Sequence, residues 1–400
     1  MAAASLQLPS SAAHPRPGLA ANPEFDLLRA CCAHDPQETT DERIAQAIEC
    51  GVRWDLLARM AEHHGVLPHV FRRLAPFYAE IPKEALAQLT RMQQINSRRS
   101  LWLTSELVRV AGQFKKAGIG FLTYKGPVLA ELLYGEVTMR QFGDLDFLVY
   151  RDDVTLATAA VRELGYRSQL ALTDSQESAF LSIGYERVFD SQFGRNLLEI
   201  KWKVLPPFYA IDFDVEKIFL RSGSVDIEGV NVPTLSAEDL LLVLCVHAAK
   251  HGWEKLSWLC DIGALSARAL DWELIQRQAC QLGVQRILGV NFSLANRFLG
   301  TAIPATVAAY IQKDVRVILL ANKIAAQIEG CRSCDVTSKA YFHQFTGFRE
   351  RRMDRGRFWW RLVATPGVGE WNAVRLRNPR SVLYGVVRMW RLARRVMRAR

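Results

Sequence analysis

Apolar residues recur every three to four positions from Glu24 to about Gly118, in "FDLLRACCA", "RIAQAIECG", "WDLLARMAEHHGVLPHVFRRLAPF" and "SLWLTSELVRVAGQFKKAG". That spacing predicts helices with one buried face, punctuated by Pro68, Pro76 and Pro82. The period changes after Gly118, where "IGFLTY" reads as a short buried strand. Gly126 and Pro127 open a helix, with Pro in the first turn where its missing N–H does no harm, and Gly135 closes it. "DLDFLVY" then alternates strictly, placing Asp144, Asp146 and Leu148 on one face and Leu145, Phe147 and Val149 on the other. "RDDVTLATAAVRELGY" predicts a helix with an acidic first turn and a glycine stop. Strands follow at "GYERVFD" and "NLLEIKWKV"; the second turns Leu198, Ile200 and Trp202 to the core and Leu197, Glu199 and Lys201 away from it. "VDIEGVNVPTL" predicts a hairpin turning at Glu228 and Gly229, and Ser236 with Asp239 starts a further helical stretch.

These elements predict an α+β chain with a small mixed β-sheet core at 119–235. An N-terminal helical region at 25–118 precedes the core. A helical domain at 236–330 and a C-terminal helical region at 331–400 follow it. Residues 1–24, rich in Ala, Pro and Ser, read as a disordered lead-in.

With 400 residues, half of them hydrophobic, the chain can bury several cores. Apolar runs such as Leu240 to Val246 fall far short of the roughly 20 residues a membrane-spanning helix needs, and the N-terminus lacks a secretory pattern. A cytoplasmic protein is expected. The net charge of +10 is uneven, because residues 349–400 carry fifteen Arg against three acids. The favoured reading is a solvated arginine face with Trp359, Trp360, Trp390 and Leu392 packed inward. Nucleic acid, an anionic membrane surface or a polyphosphate are the alternative partners, but no base-stacking motif accompanies the charge. The eight cysteines sit mostly in helical patterns, as reduced buried thiols would. "CRSC" at Cys331–Cys334 is a lone CxxC and "CCAH" is no better, so neither makes a zinc site.

Two aspartates one residue apart inside an apolar segment need a reason, since burying an unpaired charge is costly. On a strand, Asp144 and Asp146 have Cα atoms roughly 6.6 Å apart and share a face. Both carboxylates can then converge on one or two magnesium ions, hard cations that prefer oxygen ligands. Paired ions of this kind clamp the attacking and leaving oxygens of a phosphoryl displacement. Glu199, the one acid on "LLEIKWKV", is the candidate third carboxylate. His247, Lys250 and His251 fall at i, i+3 and i+4 on one helix and share a face; they either line a nucleotide cleft or pack between helices. Zinc is not expected there, because HxxxH lacks an intervening Glu.

"YKGPVLAELLYGEVTMRQFGDLDFLVY" resembles the Lys-Gly and Arg-x-x-x-Asp-x-Asp region of the uncharacterised nucleotidyltransferase family, within the polymerase β-like and minimal nucleotidyltransferase superfamily. "HHGVLPHVFRRL", "LEIKWKV" and "LLLVLCVHAAKHGWEKLSWLCDIGAL" are similar to that family's upstream helix, third-acid strand and downstream helices. The resemblance spans roughly residues 25 to 300. It implies a nucleotidyltransferase core, with Asp144, Asp146 and Glu199 as metal ligands and catalytic acids. It also implies that Gly126 admits the phosphates to the helix start and that Lys125 and Arg140 neutralise a triphosphate. Two features depart from the pattern. Pro127 replaces the superfamily's Ser, with seventeen residues between Gly126 and Asp144, and Lys201 stands where the family carries histidine.

The expectation is a Mg2+-dependent enzyme, with two ions, that moves a nucleoside monophosphate from an NTP to an acceptor and releases pyrophosphate. The sequence leaves the acceptor open among a small molecule, a sugar, a peptide and a protein, with nucleic acid less favoured. The alternative is a non-catalytic nucleotidyltransferase-fold interaction protein, such as a toxin–antitoxin component.

Overall fold

The computed structural model describes residues 22–398 apart from 34–36, 171, 331–334, 337, 366–369, 371–373 and 375–382. The lead-in and the CRSC motif therefore lie outside the described residues. Helices α1 (Pro23–Cys32), α2 (Gln37–Glu49), α3 (Trp54–His63) and α4 (Leu67–Arg73) precede the long helix α5 (Lys83–Lys116). At 1.5 Å per residue α5 spans about 50 Å. Its buried side chains include Leu103, Leu107, Val110 and Phe114, at helical spacing. The chain breaks where expected: Gly118 has φ +69 and Ile119 N–H donates back to Phe114 O.

The core follows as β1 (Phe121–Leu122), α6 (Gly126–Tyr134), β2 (Leu145–Val149), α7 (Val154–Glu163), β3 (Arg167–Ser168), α8 (Asp174–Ile183), β4 (Glu186–Ser191) and β5 (Gly194–Lys201). Five strands form one mixed sheet in the order β1-β2-β5-β4-β3, with β2 and β5 parallel and the other neighbours antiparallel. After α9 (Val215–Leu220) comes a separate hairpin, β6 (Gly223–Ile227) and β7 (Val230–Thr234). It turns at Glu228 and Gly229, with φ of 52° and 81°, the doubly positive turn that matches strand twist.

Helices α10 (Ala237–Lys250), α11 (Leu256–Ser266), α12 (Trp272–Leu282), α13 (Gln285–Leu299), α14 (Ala305–Lys313) and α15 (Arg316–Glu329) follow and share a core with the N-terminal helices. Helices α16 (Lys339–Phe348), α17 (Arg352–Ala364) and α18 (Leu383–Arg398) lie in the basic region. Ser236 accepts the N–H of Asp239 as the α10 cap.

The alternation of β2 divides two cores. Leu145, Phe147 and Val149 pack with Phe114, Val161 and Ile200, while Leu148 belongs to the opposite core with Tyr124, Leu129 and the apolar residues of α10 and α11. The sheet is thus buried on both faces, and a charged side chain on β2 must find its partner inside the protein.

The tail corrects one expectation. Trp359 packs against the core, but Trp360 and Trp390 are 73% and 58% exposed, and the side chain of Leu392 lies outside the described residues. The segment docks through buried Phe358, Leu362 and Tyr384 and through arginines. Arg357 and Arg361 hold Asp212, Arg388 and Arg391 hold Glu370, and the fully buried Arg349 bonds Ala210 O and Leu282 O. Cys31, Cys32, Cys245 and Cys260 are buried free thiols; Cys50 and Cys280 are exposed.

Candidate active site

The loop into Asp144 is tied down before the strand begins. From α5, Asn96 Nδ2 donates to Thr138 O at 3.1 Å, Ser100 Oγ to Arg140 O at 3.4 Å, and Arg99 to Gly143 O at 3.2 Å. From α4, the Leu67 N–H donates to Gln141 Oε1 at 3.1 Å. On the other side Gly126 approaches closely: it has φ +57, and a Cβ there would sit 3.4 Å from Asp144 O. A positive φ and a tight neighbour both favour glycine. The α6 start receives no side-chain cap, so its first-turn N–H groups present a partial positive charge.

Register does the rest. Asp146 is the direct partner of Glu199 across the parallel β2–β5 pair, and Glu186 of β4 faces Lys201 of β5. Lys201 Nζ lies 3.1 Å from Asp146 Oδ1, 2.7 Å from Glu186 Oε2 and 2.6 Å from Glu199 Oε2. Lys125 Nζ lies 3.3 Å from Asp146 Oδ2. Asp146 is 2% exposed, and neither of its oxygens receives a well-directed hydrogen bond despite the two ammonium groups.

These contacts set the protonation of the acids. Burial works against the Asp146 charge, but Lys125 and Lys201 outweigh it and hold the carboxyl below its ordinary range. Asp144 is pushed up by burial and then by the Asp146 charge. Burial raises Glu199 to about 7, with Lys201 opposing the shift and Asp146 adding to it. Burial also opposes the Lys201 charge, but Asp146 and Glu186 more than compensate, so the ammonium stays charged.

Helix α10 supplies a basic wall over this face. Lys250 Nζ and Lys201 Nζ each lie 5.8 Å from the centre of the Tyr185 ring, whose hydroxyl bonds Glu186. Burial first and the Lys201 charge second lower Lys250 to about 8. His247 and His251 have ring centres 4.6 Å apart and both pack on Trp258. Burial and the Lys125 charge hold His247 well below its usual value, while burial and Lys250 bring His251 to about 3. Both imidazoles are neutral at pH 7.

Asp144, Asp146, Glu199, Lys125, Gly126, His247, Lys250 and His251 therefore gather around one end of the sheet. Arg140 does not join them. It is buried, and its Nε bonds Asp261 Oδ2 at 3.0 Å, while Tyr134 OH bonds Asp261 Oδ1 at 2.9 Å. That network ties the loop before β2 to α11.

The three expected acids are neighbours, yet among the described residues no group of three His, Cys, Asp or Glu is arranged to hold a metal ion. The reason is Lys201, whose ammonium takes the space between Glu199, Glu186 and Asp146. Glu199 is engaged by Lys201, and Asp146 lies between Lys201 and Lys125. Sequence reading missed Glu186, which lies on a strand whose partner only the sheet order reveals, and gave Lys201 no role.

A family model described as uncharacterised nucleotidyltransferase matches residues 51–300, a range that takes in the sheet, the α6 start and α10 to α13. No curated protein and no solved structure matches the chain.

Proposed function

The chain belongs to the uncharacterised nucleotidyltransferase family, and from that premise we propose that it transfers a nucleoside monophosphate from an NTP to an acceptor at the Asp144–Asp146 face, releasing pyrophosphate. The observation that carries this reading is Asp146: a buried carboxylate whose oxygens lack directed hydrogen bonds, beside a glycine-opened, uncapped helix start. Buried carboxylate oxygens are usually bonded; Asp354 and Glu350 each keep one buried oxygen without a directed donor, whereas Asp146 keeps both.

In this reading the triphosphate lies between the α6 start and α10. The first-turn N–H groups, Lys125 and Lys250 meet its phosphate oxygens. Asp144 and Asp146 would hold a magnesium ion, which when bound neutralises phosphate charge and stabilises the charge of the departing pyrophosphate. The acceptor oxygen attacks the α-phosphorus as the bond to the β-phosphate oxygen breaks, and the pyrophosphate leaves with that electron pair. Glu199, raised to about 7, accepts the acceptor's proton, as a base poised near the working pH should.

The test incubates the protein with each α-labelled NTP, magnesium and cell extract, then follows label into an acceptor. Transfer by the wild type and none by Asp146→Ala supports the reading. Absence of nucleotide binding by the wild type would return the chain to a non-catalytic scaffold role.

A further inference from the structure

We propose that Lys201 is a resident cation standing in for a second divalent ion, so that the site takes one metal, on Asp144 and Asp146, and Glu199 serves Lys201 rather than metal. The proposal rests on the nucleotidyltransferase reading for the identity of the site and departs from the two-ion expectation.

Three observations converge on it. The first is position. Lys201 Nζ has three carboxylate oxygens within 3.1 Å, one each from Asp146, Glu186 and Glu199, and donates a hydrogen bond to the Glu186 oxygen. It thus bridges the carboxylates as a small cation would, and the acids it bridges come from three adjacent strands.

The second is anchorage. Lys201 is the last residue of β5, is 4% exposed, and lies against the Tyr185 ring. Swinging it out would strip a counter-ion from three carboxylates that are themselves largely withdrawn from water, a costly exchange. A divalent ion would have to displace it rather than join it.

The third is charge. With every acid ionised, Asp144, Asp146, Glu186 and Glu199 bring four negative charges, and Lys125 and Lys201, which contact the last three, bring two positive ones. The remaining two negative charges match one divalent cation. With two such cations and Lys201 in place the cluster would carry excess positive charge in a buried setting. Asp146 meets two ammonium groups yet receives no directed hydrogen bond, and Asp144 lies two residues before it, which is where the single ion belongs.

The experiment counts Mn2+ ions on the full chain without nucleotide, from the loss of the free-ion electron paramagnetic resonance signal. The wild type is expected to bind one Mn2+ and Asp144→Asn none. Glu199→Gln should change the affinity less than about 3-fold, since second-shell changes of 10-fold or more mark groups that touch or orient a metal's ligands. Lys201→Ala should bind a second Mn2+, with circular dichroism checking its fold. Two ions on the wild type, or a loss of 10-fold or more in Glu199→Gln, would overturn the proposal while leaving the nucleotidyltransferase reading intact. These two measurements decide the matter even where Lys201→Ala does not fold. No Mn2+ on the wild type, together with no NTP binding, would overturn both.

Discussion

Asp146 and Asp261 are both aspartates of 2% exposure or less, and both sit beside a basic side chain. At the seam between α6 and α11, Asp261 has each oxygen matched to a donor, Tyr134 OH on one and Arg140 Nε on the other. At the sheet, Asp146 has ammonium groups at 3.1 and 3.3 Å but no directed hydrogen bond on either oxygen. The first arrangement is closed: nothing is left for a ligand to satisfy. The second is held charged by two ammonium groups that are not directed at its lone pairs. Buried polar groups are usually bonded, so an incompletely bonded buried carboxylate calls for an explanation such as a ligand.

The sharpest way to break this contrast is to neutralise each aspartate. Asp146→Asn should lower transfer by about 10³-fold, the scale of losing a key electrostatic group in a water-poor site, while keeping its fold by circular dichroism. Asp261→Ala should act on stability instead. Leaving Arg140 buried without its partner costs about 3–5 kcal/mol, read as a drop in denaturation midpoint at unchanged slope. Equal stability losses in the two variants would erase the distinction.

A smaller effect is expected at Gly126→Ala. The positive φ alone costs about 1 kcal/mol, and the added Cβ would meet the Asp144 carbonyl oxygen at 3.4 Å, a contact without room to spare. Nucleotide affinity should fall with only a modest loss of stability, measured by titration and melting on the same preparation.

The smallest is a pH effect at Lys250. Its ammonium titrates near 8, brought down by burial and by Lys201. A triphosphate favours the charged form, so that contribution to affinity is present below that value and declines as pH rises through it. Lys250→Met should bind more weakly at pH 7 and lack that alkaline decline. A wild type whose affinity is flat from pH 7 to 9 would remove Lys250 from the phosphate site.

What the sequence made legible was local. The glycine stops at Gly118 and Gly135, the Ser236 cap, the hairpin at Glu228–Gly229 and the two-faced β2 all depend on residues within a few positions of one another. The Asp146–Glu199 neighbourhood was also anticipated, because an acid on each of two core strands has few places to go. What escaped was set by distant pairing. That β5 lies between β2 and β4, so that Glu186 faces Lys201, is a property of sheet order that no single strand encodes. The partner of Arg140 stands 121 residues away. Helix α8 had a readable signal, the Thr173 to Gln176 capping box, but its apolar periodicity is weak. The tail's tryptophans were expected inward because apolar surface usually is; Trp359 is, but Phe358, Leu362, Tyr384 and the arginine–acid pairs anchor the segment and leave Trp360 and Trp390 exposed.

The central claim is that Asp144 and Asp146 form the nucleotide site. Its most direct test is calorimetric titration of a non-hydrolysable NTP analogue with magnesium into the wild type, Asp144→Asn and Asp146→Asn. Binding near one analogue per chain by the wild type, weakened by about 10-fold or more in each variant and lost by the wild type under chelation, is the predicted result. Undiminished binding by both variants would contradict it.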